Sequence, residues 1–140
     1  MLSDPRFSIA VDIFVPFHDC DPMGIVWHGN YLRYFEVARE QLLNQIGYGY
    51  RDMLASGYAW PVVDVQLKYR RSASFEQMIT VNAKIVEYEN RLKISYVITD
   101  SLTGNKLTTG YTIQVAVDQN TQELQFVCPD ILLAKIGIQS

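Results

Sequence analysis

Residues 18–40 read HDCDPMGIVWHGNYLRYFEVARE, and this stretch decides how the rest of the chain is read. Its first eleven residues hold two carboxylates (Asp19, Asp21), a thiol (Cys20) and both histidines of the protein (His18, His28). Pro16 and Pro22 bracket the acidic part. Proline removes a backbone donor and restricts the residue before it, so an irregular loop is predicted, with Gly24 adding conformational freedom. From Asn30 the pattern turns helical: Tyr31, Tyr34, Phe35, Ala38, Leu42 and Ile46 recur at spacings of three and four. Asn30 is the expected N-cap, and Gly47 and Gly49 suit the end of the helix.

Outward from this loop and helix, the chain reads as strands. Upstream, Ile9, Val11, Ile13 and Val15 alternate, predicting a strand over residues 7–15 with one buried face. Downstream, residues 50–56 allow one or two helical turns stopped by Gly57. After Pro61, Val63, Val65, Leu67 and Tyr69 alternate with polar residues, predicting one apolar and one polar face. Residues 78–88 and 92–99 flank a turn at Glu89, Asn90 and Arg91. A second turn at Thr103, Gly104 and Asn105 leads into residues 106–118, where Leu107, Thr109, Tyr111, Ile113, Val115 and Val117 alternate. Asp118–Thr121 is a further polar turn, and Pro129 with Asp130 opens a short terminal helix. One helix with an apolar face and a run of antiparallel strands predict an α+β layer in which the sheet wraps the helix, since both apolar faces need a partner.

Composition narrows the function classes. The 140 residues suit one domain with a real core, 49% are apolar and 19% charged, and no apolar run approaches the ~20 residues of a membrane span. A net charge of −3 and a pI near 5.3 argue against a nucleic-acid partner. The first residues lack the basic start and apolar centre of an export signal, so a cytoplasmic location is expected. Cys20 and Cys128 do not make a disulfide framework and read as reduced thiols.

The run Asp21, Pro22, Met23, Gly24, Ile25, Val26, Trp27, His28, Gly29, Asn30, Tyr31 resembles the signature of hotdog-fold acyl-CoA thioesterases, most closely the 4-hydroxybenzoyl-CoA thioesterases and the related Tol-Pal-associated acyl-CoA thioesterases. The resemblance implies a single hotdog domain over residues 1–140, with a five-stranded antiparallel sheet wrapped around a long central helix. It implies hydrolysis of an acyl- or aryl-CoA thioester, with Asp21 as catalytic carboxylate and the His28 backbone N–H facing the thioester carbonyl. It also implies a homodimer or homotetramer with the site at a subunit boundary, and no cofactor. Phe17 stands where some family members carry tyrosine, so a phenolic hydroxyl is not expected there. The chemistry is coherent: free N–H groups and the dipole at a helix start favour developing negative charge, and an ionised aspartate acts either as general base or as nucleophile. The two routes stay open, as does the choice between coenzyme A and an acyl carrier protein.

The remaining substrate contacts implied by the family are Gly24, Tyr31, Trp60, Arg91 and Lys93. Trp60 with Pro61 matches the position where a strand begins beside the thioester. Arg91 and Lys93 lie near a hairpin where basic residues often meet the nucleotide, and Arg70 and Arg71 at a strand end are further cations suited to phosphate. Plainer readings exist for each. By spacing alone Asp21 before proline suits an Asx turn, Asp19 a turn or cap, Tyr31 with Tyr34 and Phe35 the core, and each basic residue a solvated surface. Cys20 and His18 are neighbours on a loop and point apart, and the chain has too few cysteines and histidines for the usual metal spacings, so no metal is expected. A hotdog hydratase or dehydratase and a non-catalytic acyl-thioester-binding protein are the competing functions.

Overall fold

The computed structural model describes residues 5–137. A short 3-10 turn at Pro5–Phe7 leads into β1 (Ser8–Phe14), and a loop connects it to α1 (Asn30–Gln45). Then come α2 (Tyr50–Ala55), β2 (Tyr58–Ala59), β3 (Val62–Tyr69), β4 (Met78–Glu87), β5 (Leu92–Asp100), β6 (Lys106–Gln114), β7 (Val117–Asp118) and α3 (Asp130–Lys135). β1, β4, β5, β6 and β3 form one antiparallel sheet in that spatial order, and β2 pairs with β7 in a separate two-stranded ladder. The sheet curls around α1, which is the expected hotdog arrangement. Among the described residues no helix is long and apolar enough to cross a membrane.

The register shows which residues meet the helix. Val11, Val81 and Ile98 lie opposite one another on β1, β4 and β5, as do Ile9, Ala83 and Tyr96, so these strands turn an apolar face inward. The Phe35 ring stacks on Tyr96 with centroids 4.2 Å apart. Helical spacing buries Tyr31, Tyr34, Phe35, Ala38 and Leu42 on the same side of α1. Gly47 ends this helix in the left-handed conformation, φ +77°. Gly49 instead precedes α2, where its N–H donates to Asp52. Asn30 is not the N-cap: Gly29 occupies that position, and the Asn30 side chain donates 2.8 Å to the Asp19 carbonyl.

Two strands depart from their apolar alternation. On β6 the register aligns Thr108, Gly110 and Thr112 with Ile98, Tyr96 and Ile94, so the small and polar set faces the helix and Thr109 and Tyr111 face outward, while Leu107, at a register shift, joins the core. The reason is space and polarity. A Cβ on Gly110 would collide with the Gln66 carbonyl and stand 2.8 Å from the Phe35 ring. Thr112 Oγ1 also shares a 2.8 Å hydrogen bond with the Tyr96 hydroxyl. The strand stops at Gln114, so Val117 belongs to β7 and not to one long strand through residue 118. Gly110→Ala is therefore expected to cost about 1–3 kcal/mol, the range for overpacking a filled core, read as a lowered urea midpoint with unchanged slope.

β3 is an edge strand and stays largely exposed, with only Leu67 half-buried; the helix meets it at its end, where the Tyr31 and Tyr69 rings lie 5.4 Å apart. Val63 is 57% and Val65 39% exposed. An open apolar edge of eight residues is a ready template for another strand.

Candidate active site

The loop between β1 and α1 is tied down by its own turns and by the β3–β4 connection. Asp21 to Gly24 make a tight turn in which the Gly24 N–H donates to the Asp21 carbonyl at 2.9 Å. Gly24 has φ +80°, a conformation that favours glycine. The Asp21 carboxylate accepts the Met23 N–H at 2.9 Å through Oδ1, an Asx-type contact that fixes its direction. The loop is then stitched to residues 70–77: Val26 N–H donates to the Ala73 carbonyl, and Phe75 N–H to the Gly24 carbonyl. The buried Tyr31 hydroxyl accepts the Ala73 N–H, and the Tyr69 hydroxyl donates to the His28 carbonyl at 3.1 Å.

These ties enclose a cleft of about 260 Å³ lined by Asp21, Ile25, Val26, His28, Tyr31 and Tyr69, with Arg70, Arg71 and Ser72 on the far wall. Among the described residues no acceptor takes the His28 backbone N–H. It sits at the start of a 16-residue helix, whose dipole favours negative charge there. The His28 imidazole is exposed and lies against the Trp27 ring with centroids 5.1 Å apart. Asp21 and His28, whose backbone N–H has no acceptor among the described residues, thus line one small cleft.

Asp19 ends a 3-10 turn, Phe17–Asp19, and its side chain reaches beyond that turn to α1 instead of capping a helix. It is 3% exposed and receives hydrogen bonds from the Arg33 guanidinium and, at 2.7 Å, from the Tyr34 hydroxyl. Burial alone would raise its carboxyl, but the Tyr34 and Arg33 hydrogen bonds and the charges of Arg33 and His18 together hold it below the ordinary aspartate value. Burial, and then the hydrogen bond to the same carboxylate, push the Tyr34 phenol up. Meanwhile the Asp19 carbonyl accepts from Trp27 N–H and the Asn30 amide. This residue locks the loop onto the helix, and nothing in its sequence neighbourhood announces that role, because Arg33 and Tyr34 lie a turn or more along α1.

Cys20 beside it is no nucleophile: burial and then the charges of Asp19 and Asp21 raise its thiol. Burial likewise pushes Cys128 up to about 12. Both thiols are free. Among the described residues no cluster of three or more histidine, cysteine, aspartate or glutamate side chains could hold a metal.

Of the residues predicted from sequence, the fold brings together Asp21, His28 and Tyr31, with Gly24 shaping the turn. It does not bring Trp60, Arg91 or Lys93 to this cleft within one chain. Trp60 lines a separate groove of about 770 Å³ between α1, α2 and the start of β3, where its indole N–H donates to the Tyr48 hydroxyl at 3.1 Å. Arg91 pairs with Glu87 at 2.5 Å. Lys93 lies 4.4 Å from the Tyr111 ring centroid, on the outward face of the sheet. Tyr69, on the cleft wall, aligns through Thr108 with Ile98, five residues or roughly 17 Å along β5 from Lys93.

A five-stranded antiparallel sheet packed on one long helix, with an aspartate turn shortly before that helix, defines a hotdog protein. The chain belongs to the thioesterase-like superfamily, whose family model matches residues 15–136. A Synechocystis protein whose name proposes esterase activity is 34% identical over 102 residues, 72% of this chain and 61% of that protein. The 4-hydroxybenzoyl-CoA thioesterase of a Pseudomonas species is 28% identical over 60% of this chain and 62% of its own length. This chain thus matches about three fifths of the length of those relatives. Among solved structures, a DHNA-CoA thioesterase from Staphylococcus aureus superposes with a TM-score of 0.76 at 29% identity, covering 84% of this chain and 78% of the other.

Proposed function

We propose that this protein hydrolyses an acyl- or aryl-CoA thioester to the free carboxylic acid and coenzyme A. The observation that carries the reading is the cleft that Asp21 and His28 line together, with the His28 N–H unengaged just before α1. In this mechanism the thioester carbonyl oxygen points at the His28 N–H, which stabilises the negative charge that develops there. With Asp21 as general base, its carboxylate takes a proton from water as the water oxygen bonds to the carbonyl carbon. The tetrahedral intermediate then expels the thiolate, which recovers the proton. With Asp21 as nucleophile, its oxygen bonds to the carbonyl carbon, the thiolate leaves, and water cleaves the resulting anhydride. Membership of the thioesterase-like superfamily and the names of the relatives support the reaction class.

Trp60, Arg91 and Lys93 can contribute to this cleft only across a subunit boundary. We therefore assign the working unit to a homodimer or a homotetramer, supported by the open apolar edge of β3. Replacing Val63 and Val65 by lysine should shift the sedimentation coefficient to that of a single chain; a single-chain value already in the wild type would sink the assignment. Two free thiols suit a reducing compartment such as the cytoplasm. The reaction is tested with a panel of aryl, short-chain and long-chain acyl-CoA esters, following release of free thiol. Hydrolysis of none of them would overturn the reading.

A further inference from the structure

Beside the cleft around Asp21 lies a second hollow of about 500 Å³, which shares Arg71 and Ser72 with it as lining and extends along Ser74, Phe75, Gln77 and Asn105. A thioester placed at the His28 N–H cannot keep its whole thiol carrier in the first cleft, whose volume of about 260 Å³ is small even for a drug-sized ligand. The carrier has to run out along a wall, and the permanent cations on these walls are Arg70 and Arg71. Both are exposed, and neither has an ion-pair partner among the described residues. Their bases are fixed, because both backbone N–H groups donate to the Leu107 carbonyl, at 2.9 and 3.0 Å. Two adjacent guanidinium forks on a fixed backbone suit a phosphate oxygen set.

The far part of the second hollow has the opposite sign. Glu76 and Asp100 line it, and Asp100 is held ionised by N–H groups of Thr103, Gln77 and Leu102. A polyanion laid along the whole hollow would meet these carboxylates, whereas one phosphate stopped at Arg71 does not. Arg91 is already paired with Glu87, and Lys93 faces away across the sheet. Resting on the thioesterase reading above, we propose that Arg70 and Arg71 form the subsite for the phosphate that ends the pantetheine arm, the group that coenzyme A and an acyl carrier protein share.

The test compares one acyl group on pantetheine, on phosphopantetheine, on coenzyme A and on a carrier protein. In a protein carrying both Arg70→Ala and Arg71→Ala, the preference in kcat/KM for the phosphopantetheine ester over the pantetheine ester should fall about tenfold, through KM. Arg71→Lys keeps the charge without the fork and should fall between; it also serves if the double variant folds poorly. The loss should appear equally with acyl-CoA and the carrier-protein ester. A drop confined to acyl-CoA would assign the arginines to the nucleotide phosphates and overturn the proposal, as would an unchanged preference. A larger effect from Arg91→Ala with Lys93→Ala would move the phosphate to the first hairpin and overturn it too. If the wild type hydrolyses no thioester, the hydrolase reading fails by itself, and calorimetric titration with phosphopantetheine decides the subsite. Weaker binding by the double variant supports it; equal binding overturns it.

Discussion

Asp21→Asn is expected to lower kcat/KM for the best acyl-CoA ester by about 10²–10⁴-fold, the range that one positioned general base supplies. The substitution is a sharp one because it leaves the local structure in place. The Oδ1 atom accepts the Met23 N–H, and an amide oxygen accepts it as well, so the turn through Gly24 should keep its form. What is lost is the ability to take a proton from water or to attack the carbonyl, since an amide does neither at neutral pH. Thermal unfolding of the variant should therefore match the wild type while thiol release collapses. Hydrolysis undiminished by the change would remove Asp21 from the mechanism.

Asp19→Ala has the largest expected effect on stability, about 3 kcal/mol, or roughly 10 °C in Tm for a chain of this size. The loss does not come chiefly from the Arg33 charge, because that guanidinium is half exposed and can turn to water. It comes from the buried Tyr34 hydroxyl, left without its acceptor, and from the loop that Asp19 anchors. The pH dependence has a definite sign. The folded carboxyl titrates below the ordinary aspartate value of 3.8, so its contribution is fully present above that pH and is lost as pH falls through the folded value. The stability gap between wild type and Asp19→Asn should thus be widest near neutrality and close below about pH 4. A gap that stays constant from pH 7 to pH 3 would show that Asp19 is not ionised in the fold.

Much of this architecture was legible because its signals are local. The alternation of Ile9, Val11 and Ile13, the spacing of Tyr31, Tyr34, Phe35 and Ala38, and the turns at Glu89–Arg91 and Thr103–Asn105 depend on residues a few positions apart, and all of them hold. β6 misled because its apolar residues alternate as cleanly as those of a core strand, yet the space left by Phe35 admits only Gly110 on the inward side. Asp19 was undervalued for the opposite reason, since its partners lie fourteen and fifteen residues away and meet it only when the loop folds back over the helix.

The site divides along the same line. By itself the sequence determined that an aspartate turn runs into a helix start at His28, and so placed a carboxylate near a free N–H donor, because a turn and a helix terminus are properties of contiguous backbone. Only the tertiary structure decided which distant residues face that pair. It set Tyr69, Arg70 and Arg71 across the cleft and left Trp60, Arg91 and Lys93 elsewhere on the same chain. The physical reason is the sheet register: where β3 ends, and which end of β5 lies beside it, follows from five strands pairing across the whole chain, and no short stretch of residues carries that information.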